Sequence, residues 1–169
     1  VTGMDRVGEK MESGDMFIPE VLMAAKVMGE SLEVLRPHLE GMDETSAGTV
    51  IIGTVKGDLH DIGKNLVAMM MKSAGLEVHD LGVDVTPDRF ADKVKETNAD
   101  ILCLSALLTT TMPSMEQTID AVNAAGLKDQ VKIMVGGAPV TRKFAEGIGA
   151  DGFALDAGSA IKLAKSFVG

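Results

Sequence analysis

Apolar residues recur along this chain with two different periods, and the change falls near residue 48. Before it, Leu22, Ala25, Met28, Leu32, Leu35 and Leu39 return every three or four positions, forming one stripe of a helix. Pro19 sits in the first turn, where a missing N–H costs little. Pro37 lies close to the end, and Gly41 is expected to stop the helix. A weaker helical pattern covers Met4 to Met11 within the charged stretch Val1 to Asp15. One or two helices cannot bury such a stripe alone, so it must pack on the following domain, on further helices or on a ligand. Gly41 to Gly48 is small and polar and reads as a linker.

After the linker, short apolar runs alternate with amphipathic ones. The runs predict strands over Thr49–Val55, Glu77–Asp80, Asp100–Ser105, Val131–Val135 and Gly152–Leu155. Asp100–Ser105 is almost wholly apolar, as a central parallel strand should be. Helices are expected over Gly63–Ala74, from Thr86-Pro87 to Thr97, from Pro113 to about Gly126, briefly from Thr141, and over Gly158–Val168. Gly75 suits a left-handed C-cap, and Thr86 and Pro87 suit an N-cap and first helical position. Five βα units imply a doubly wound α/β fold, a flavodoxin-like (Rossmann-like) parallel sheet of order 2-1-3-4-5 flanked by helices. The loops after Val55 and Ser105 then face each other at the switch point, where such sheets bind ligands.

Composition changes this picture in two ways. Hydrophobic residues make up 46 % of 169, but with no Trp or Tyr and only 5 Phe the core must be aliphatic and Met-based. The 12 Met residues are read first as flexible core filler and second as an adaptable binding surface. A net charge of −9, with no basic run longer than Arg142-Lys143, argues against a nucleic-acid partner. The single Cys103 lies inside an apolar run and reads as a buried small hydrophobe. With no secretory signal or long apolar span, the expectation is a soluble cytoplasmic protein without a membrane partner.

Three loops at the expected switch point carry the candidate chemistry. The first is Gly57-Asp58-Leu59-His60-Asp61-Ile62-Gly63. A neutral imidazole binds metal through one nitrogen while a carboxylate commonly orients the other, and Asp58 can reach the far side of the His60 ring. An Asp-x-His pair alone is as readily a solvated loop pair; Gly63 and the facing loops add weight to a site. The second is Ser105-Ala106-Leu107-Leu108-Thr109-Thr110-Thr111, whose hydroxyls could cap the Pro113 helix or, at Ser105 and Thr109, bond a ligand beside Leu107. The third, Gly136-Gly137-Ala138, is either an ordinary tight turn or a slot of bare backbone for a flat group. Asp151 to Gly158 could form its far wall, with Phe153 in the core.

Other sites fail on spacing. A phosphorelay receiver wants Asp where this chain has Ser105. A His-Asp phosphohydrolase needs more ligands than His60-Asp61, and a protein-only zinc site wants three or four clustered ligands. Any metal at His60 must therefore take most of its coordination from a bulky cofactor.

Asp58-x-His60-x-x-Gly63, Ser105-x-Leu107 and Gly136-Gly137, at these separations, resemble the signatures of the cobalamin-binding domain of methionine synthase and of methyltransferase corrinoid proteins. The run from Val7 to Leu39 is similar to the second half of the helical cap that accompanies that domain. The resemblance implies a partial cap over residues 1–45, a cobalamin-binding domain over 46–169, and a chain that is a fragment of a longer protein. It implies His60 as lower axial ligand to cobalt, with the cofactor's own base displaced and its tail in a slot lined by Ser105, Leu107, Gly136 and Gly137. Leu59, Asp61, Ile62, Gly63, Thr109 and Ala138 would also contact the corrinoid. Asp58 would orient His60, and Thr111 would complete a proton relay where methionine synthase has serine. The implied function is methyl carriage between a substrate-specific methyltransferase and a second methyltransferase with a thiol or tetrahydropterin acceptor, sustained by a reductive activation protein. An adenosylcobalamin mutase subunit and a cobalamin-sensing module are the alternatives; the preceding helices favour methyl transfer.

Overall fold

The structure, a computed structural model, describes residues 2–39 and 47–169; the side chains at 2, 5, 12, 32, 33 and 35–39 are outside that description. The expected helix stop at Gly41, most of the linker, and the stripe positions Leu32, Leu35 and Leu39 therefore lie outside the described residues. Two helices, α1 (Thr2–Glu12) and α2 (Ile18–Leu39), precede β1 (Thr49–Thr54). There follow α3 (Ile62–Ser73), β2 (Glu77–Asp80), α4 (Pro87–Thr97), β3 (Ile101–Ser105) and α5 (Pro113–Ala124). The chain closes with β4 (Lys132–Gly136), α6 (Arg142–Gly147), β5 (Gly152–Ala154) and α7 (Ala157–Val168).

The strands form one parallel sheet in the order β2-β1-β3-β4-β5, as the alternation of runs requires. Its two faces carry different cores because successive side chains point to opposite sides. Ile51, Leu102, Leu104, Ile133 and Val135 pack with Phe90 and Val94 of α4 and Met115, Ile119 and Val122 of α5. Val50, Ile52, Ile101, Cys103 and Met134 face Ala68 and Met71 of α3 and Ala160 and Ala164 of α7. Register lines up Thr54, Ser105, Gly136 and Ala154 in one row across the carboxyl end of this second face. These residues are small and leave room for a slot between the sheet and the α3/α7 layer.

Element ends move by a residue or two from the sequence expectation. The fourth strand starts at Lys132 because the Val131 N–H is spent on Leu127 O, and it runs on to Gly136, which pairs between Ser105 and Ala154. Gly75 does end α3 in a left-handed conformation (φ +90°), with the paired bonds Gly75 N–H to Lys72 O and Leu76 N–H to Met71 O of a Schellman close. Thr86 is the N-cap of α4 by position, but its side chain makes no cap bond.

The N-terminal helices dock on α3 and α7 through a separate small cluster of Val21, Met70 and Ala157, flanked by Met11 and Met16. Among the described side chains of α2, Val21 and Ala25 are fully buried, while Leu22 is only half-buried. Met23, Val27 and Val34 are exposed. No helix among the described residues is long and apolar enough to cross a membrane.

Candidate functional site

The turn after β1 sets the site. The Asp58 N–H closes onto Val55 O, with Gly57 between them at φ +84°, the sign a type II turn requires at its third residue. The turn drops the Asp58 carboxylate into the protein, where it is fully buried. Its Oδ1 lies 2.7 Å from His60 Nδ1 and 3.1 Å from the His60 amide nitrogen. Its Oδ2 accepts from the Leu107 N–H at 2.7 Å, the Leu108 N–H at 3.3 Å and the Thr111 hydroxyl at 2.7 Å. Burial alone pushes this carboxyl up, but the bonds from Leu107, Thr111 and His60 outweigh it and hold it well below the usual carboxylate range.

A carboxylate that stays ionised fixes the imidazole tautomer. Nδ1 carries the proton toward Asp58, and Nε2 keeps its lone pair. The His60 side chain is 50 % exposed, and its carbonyl is pinned by the Thr54 hydroxyl at 2.7 Å. Nε2 has no hydrogen-bond partner among the described residues. Thr54 is a contributor that the sequence reading missed; its signal is a hydroxyl closing an otherwise apolar strand.

His60 lines a cavity of 570 Å³ that runs between the sheet and the α3/α7 layer. Its walls are mostly apolar, and Ser105, Gly136, Ala154, Ala157 and Ala160 are small residues among them. Of the expected contacts, Leu59, Asp61, Ile62, Gly63, Leu107, Gly137 and Ala138 all line it. Cys103 and Met134 form its floor, with the Cys103 thiol pushed up by burial and therefore neutral. Leu59, Ile62 and Leu155 stand 71, 86 and 79 % exposed at its mouth. Met11 and Ile18 reach the cavity from the N-terminal helices.

In the second loop Thr109 is exposed and stands outside the cavity lining, and the expected helix cap needs correction. No hydroxyl caps α5, whose N-cap position is Met112 in a helical conformation; the Thr111 hydroxyl turns to Asp58 instead. The Ser105 hydroxyl lines the cavity without a side-chain bond to the described residues. Asp58 and Thr111 sit behind His60, outside the cavity wall.

The glycines differ in why they are bare. At Gly137 (φ +132°) a Cβ would lie 1.9 Å from Ala106 O, so the absent side chain serves the close approach of two loops. At Gly63 a Cβ meets no protein atom within 4 Å, so packing does not account for that glycine. Sequence reasoning also missed Lys64, buried at the start of α3 with Nζ 2.7 and 2.6 Å from the two Asp80 carboxylate oxygens. That bridge ties α3 to the end of β2 beside the cavity.

A family model described as B12 binding domain matches residues 48–162, and a second of the same description matches 1–36. The chain is 46 % identical over 167 residues to dimethylamine corrinoid protein 1 of Methanosarcina acetivorans, covering 98 % of this chain and 78 % of that one. Among solved structures it is similar to a cobalamin-binding protein from Desulfitobacterium hafniense, with 39 % identity, TM-score 0.85, and coverage of 99 % and 78 %. It is also similar to a chain of the methanol:cobalamin methyltransferase complex MtaBC from Methanosarcina barkeri, at 31 % identity and TM-score 0.87, covering 98 % and 63 %.

Proposed function

The chain belongs to the B12 binding domain family, whose cofactor is cobalamin or a related corrinoid, and on that premise we propose that it is a corrinoid methyl carrier with His60 as the protein ligand to cobalt. One observation carries the reading: Asp58 occupies His60 Nδ1 and leaves Nε2 as a free donor on the wall of a large apolar slot. The residues fit a corrinoid. Among the described residues no group of three or more His, Cys, Asp or Glu side chains could hold a metal, so a metal at His60 would need its other donors from outside the chain, as a macrocycle supplies. When bound, the corrinoid supplies the cobalt centre that takes up and gives away the methyl group.

The chain's own residues bind and orient. Ser105, Gly136, Ala154, Ala157 and Ala160, which line the slot, would hold the cofactor's tail, and the exposed Leu59, Ile62 and Leu107 would meet its apolar surface. Asp58, braced by Thr111, holds the proton at Nδ1. Its hydrogen bonds hold the Asp58 carboxyl well below the usual carboxylate range, so it would stay ionised near neutrality and keep the Nδ1 side of the ring oriented. Residues 1–45 act as the cap domain and 46–169 as the corrinoid-binding domain, a division supported by the two family matches over residues 1–36 and 48–162. The methyl donor is a methylamine held by a methyltransferase, as the name of the relative suggests, and a second methyltransferase with a thiol or tetrahydropterin acceptor receives the group. A reductive activation protein would restore the cofactor after oxidation.

The test follows an isotopically labelled methyl group from dimethylamine, with a dimethylamine methyltransferase, onto the reduced holoprotein and then to a thiol through a second methyltransferase. Label on the protein-bound corrinoid, discharged in the second step, is expected. Label that never reaches a bound and reduced corrinoid would overturn the proposal.

Gly63 gives a separate check. Gly63→Ala is expected to leave the apoprotein as stable or more so, by up to about 1 kcal/mol for a helical Gly-to-Ala change. It should weaken cobalamin binding about tenfold, or about 1.4 kcal/mol. Urea unfolding and a cobalamin titration measure the two effects.

A further inference from the structure

The Lys56–Gly57 peptide is the central peptide of the turn that delivers Asp58, and both of its polar groups are held by side chains from other elements. The Gly57 N–H donates to Asp84 Oδ1 at 2.7 Å. The Lys56 carbonyl accepts from the Ser114 hydroxyl at 3.1 Å. Asp84 lies in the loop between β2 and α4, and Ser114 lies in the first turn of α5. Asp84 also donates its own N–H to Asp58 O at 3.0 Å, and it does so from a left-handed conformation (φ +53°). That conformation is uncommon for a residue with a Cβ, though Asp and Asn tolerate it best.

The central peptide is the part of such a turn that can flip. Type I and type II turns differ mainly by rotation of this one peptide plane, and the rotation reverses the sign of φ at the third residue. In the flipped form the Gly57 N–H would leave Asp84, the Lys56 carbonyl would leave Ser114, and Asp58 would be carried with the turn. Glycine at 57 makes both forms accessible, so the residue chain alone does not choose between them. Two side chains gripping opposite ends of the peptide do choose.

We propose that Asp84 and Ser114 are positioning residues for the His60 site, locking the Lys56–Gly57 peptide so that Asp58 meets His60 Nδ1. The role rests on the methyl-carrier reading only where it concerns cobalt; the lock itself belongs to the apoprotein. Neither residue lines the cavity, so each acts through Asp58 and His60 and not on the cofactor.

The experiment compares the wild type with D84N, D84A and the double variant D84A/S114A. In the apoprotein, amide hydrogen exchange at Gly57 and the nitrogen NMR signals of the His60 ring report the turn and the Nδ1–Asp58 bond. In the holoprotein, the fraction of cobalt ligated by histidine is read by electron paramagnetic resonance. The double variant should exchange the Gly57 amide at least several-fold faster and lose the Nδ1 hydrogen-bond signature in part of the molecules. Its histidine-ligated fraction should drop while overall unfolding shifts little. D84N retains an acceptor and tolerates the left-handed conformation, so it should behave as wild type; D84A should fall between. Unchanged Gly57 exchange and His60 signals in the double variant overturn the lock, as does a D84N that fails as badly as D84A. If the wild type shows no histidine ligation, the cobalt reading fails, and the apoprotein measurements still decide the lock.

Discussion

Gly137→Ala is expected to cost roughly 3–5 kcal/mol of stability, combining a strained backbone with an overpacked contact. The new Cβ would sit 1.9 Å from Ala106 O and 2.9 Å from Ala106 C, both backbone atoms that no side-chain rotation can move aside. The backbone at φ +132° adds its own penalty for any residue with a side chain. Domains of this kind are stable by about 5–15 kcal/mol, so the loss is a large share of the total. Since Ala106 and Gly137 both line the slot, cobalamin binding should fall with it. Urea unfolding of the apoprotein separates the causes: a stability change under about 1 kcal/mol would show that the loops do not depend on this approach. Gly136→Ala is a useful contrast, since its Cβ would lie 3.1 Å from Ala154 O and requires a shift of only a few tenths of an ångström.

The second large effect belongs to Asp58. Asp58→Ala removes a fully buried carboxylate and strands the donors from Leu107, Leu108 and Thr111. The expected loss is about 3–5 kcal/mol near neutral pH, in the range for breaking a buried charged network. Its pH dependence has a definite sign. The folded carboxyl is held below its ordinary value of 3.8, so its contribution is fully present above that value. It declines as pH falls below 3.8 toward the folded value. The gap between wild type and variant should therefore be constant from neutral pH down to about pH 5 and narrow in stronger acid. Denaturation midpoints across that range measure it. A gap that widens on acidification would contradict the assignment.

Much of this was readable from the order of residues. Apolar runs bounded by glycine and polar loops sufficed for five parallel strands, and the rhythm of runs and amphipathic stretches implied their order. Asp58 and His60 could be named from their spacing and Thr111 from the family resemblance, and the structure links all three through Asp58. What escaped was whatever depends on register between distant strands. The expected far wall, Asp151 to Gly158, does supply Ala154 and Ala157 to the cavity, but Ala160 looks like an ordinary small helix residue in sequence, and only pairing sets Ala154 level with Gly136 and Ser105. Gly137 read as part of either a tight turn or a slot for a flat group, because the carbonyl of Ala106, thirty-one positions earlier, cannot be seen in sequence. The three threonines after Leu108 suggested helix capping, since local chemistry gives no hint that a buried carboxylate competes for Thr111. Lys64 drew no reading from the sequence, because its partner Asp80 comes sixteen positions later, at the end of β2.

The central claim is that His60 binds cobalt in the corrinoid-loaded protein. The most direct measurement is electron paramagnetic resonance of the cobalt(II) holoprotein made with ordinary and with heavy-nitrogen histidine, beside His60→Gly. A nitrogen splitting that changes pattern with the histidine isotope, and vanishes in His60→Gly while cobalamin stays bound, is the predicted result. A spectrum indifferent to the isotope and identical in His60→Gly would contradict it.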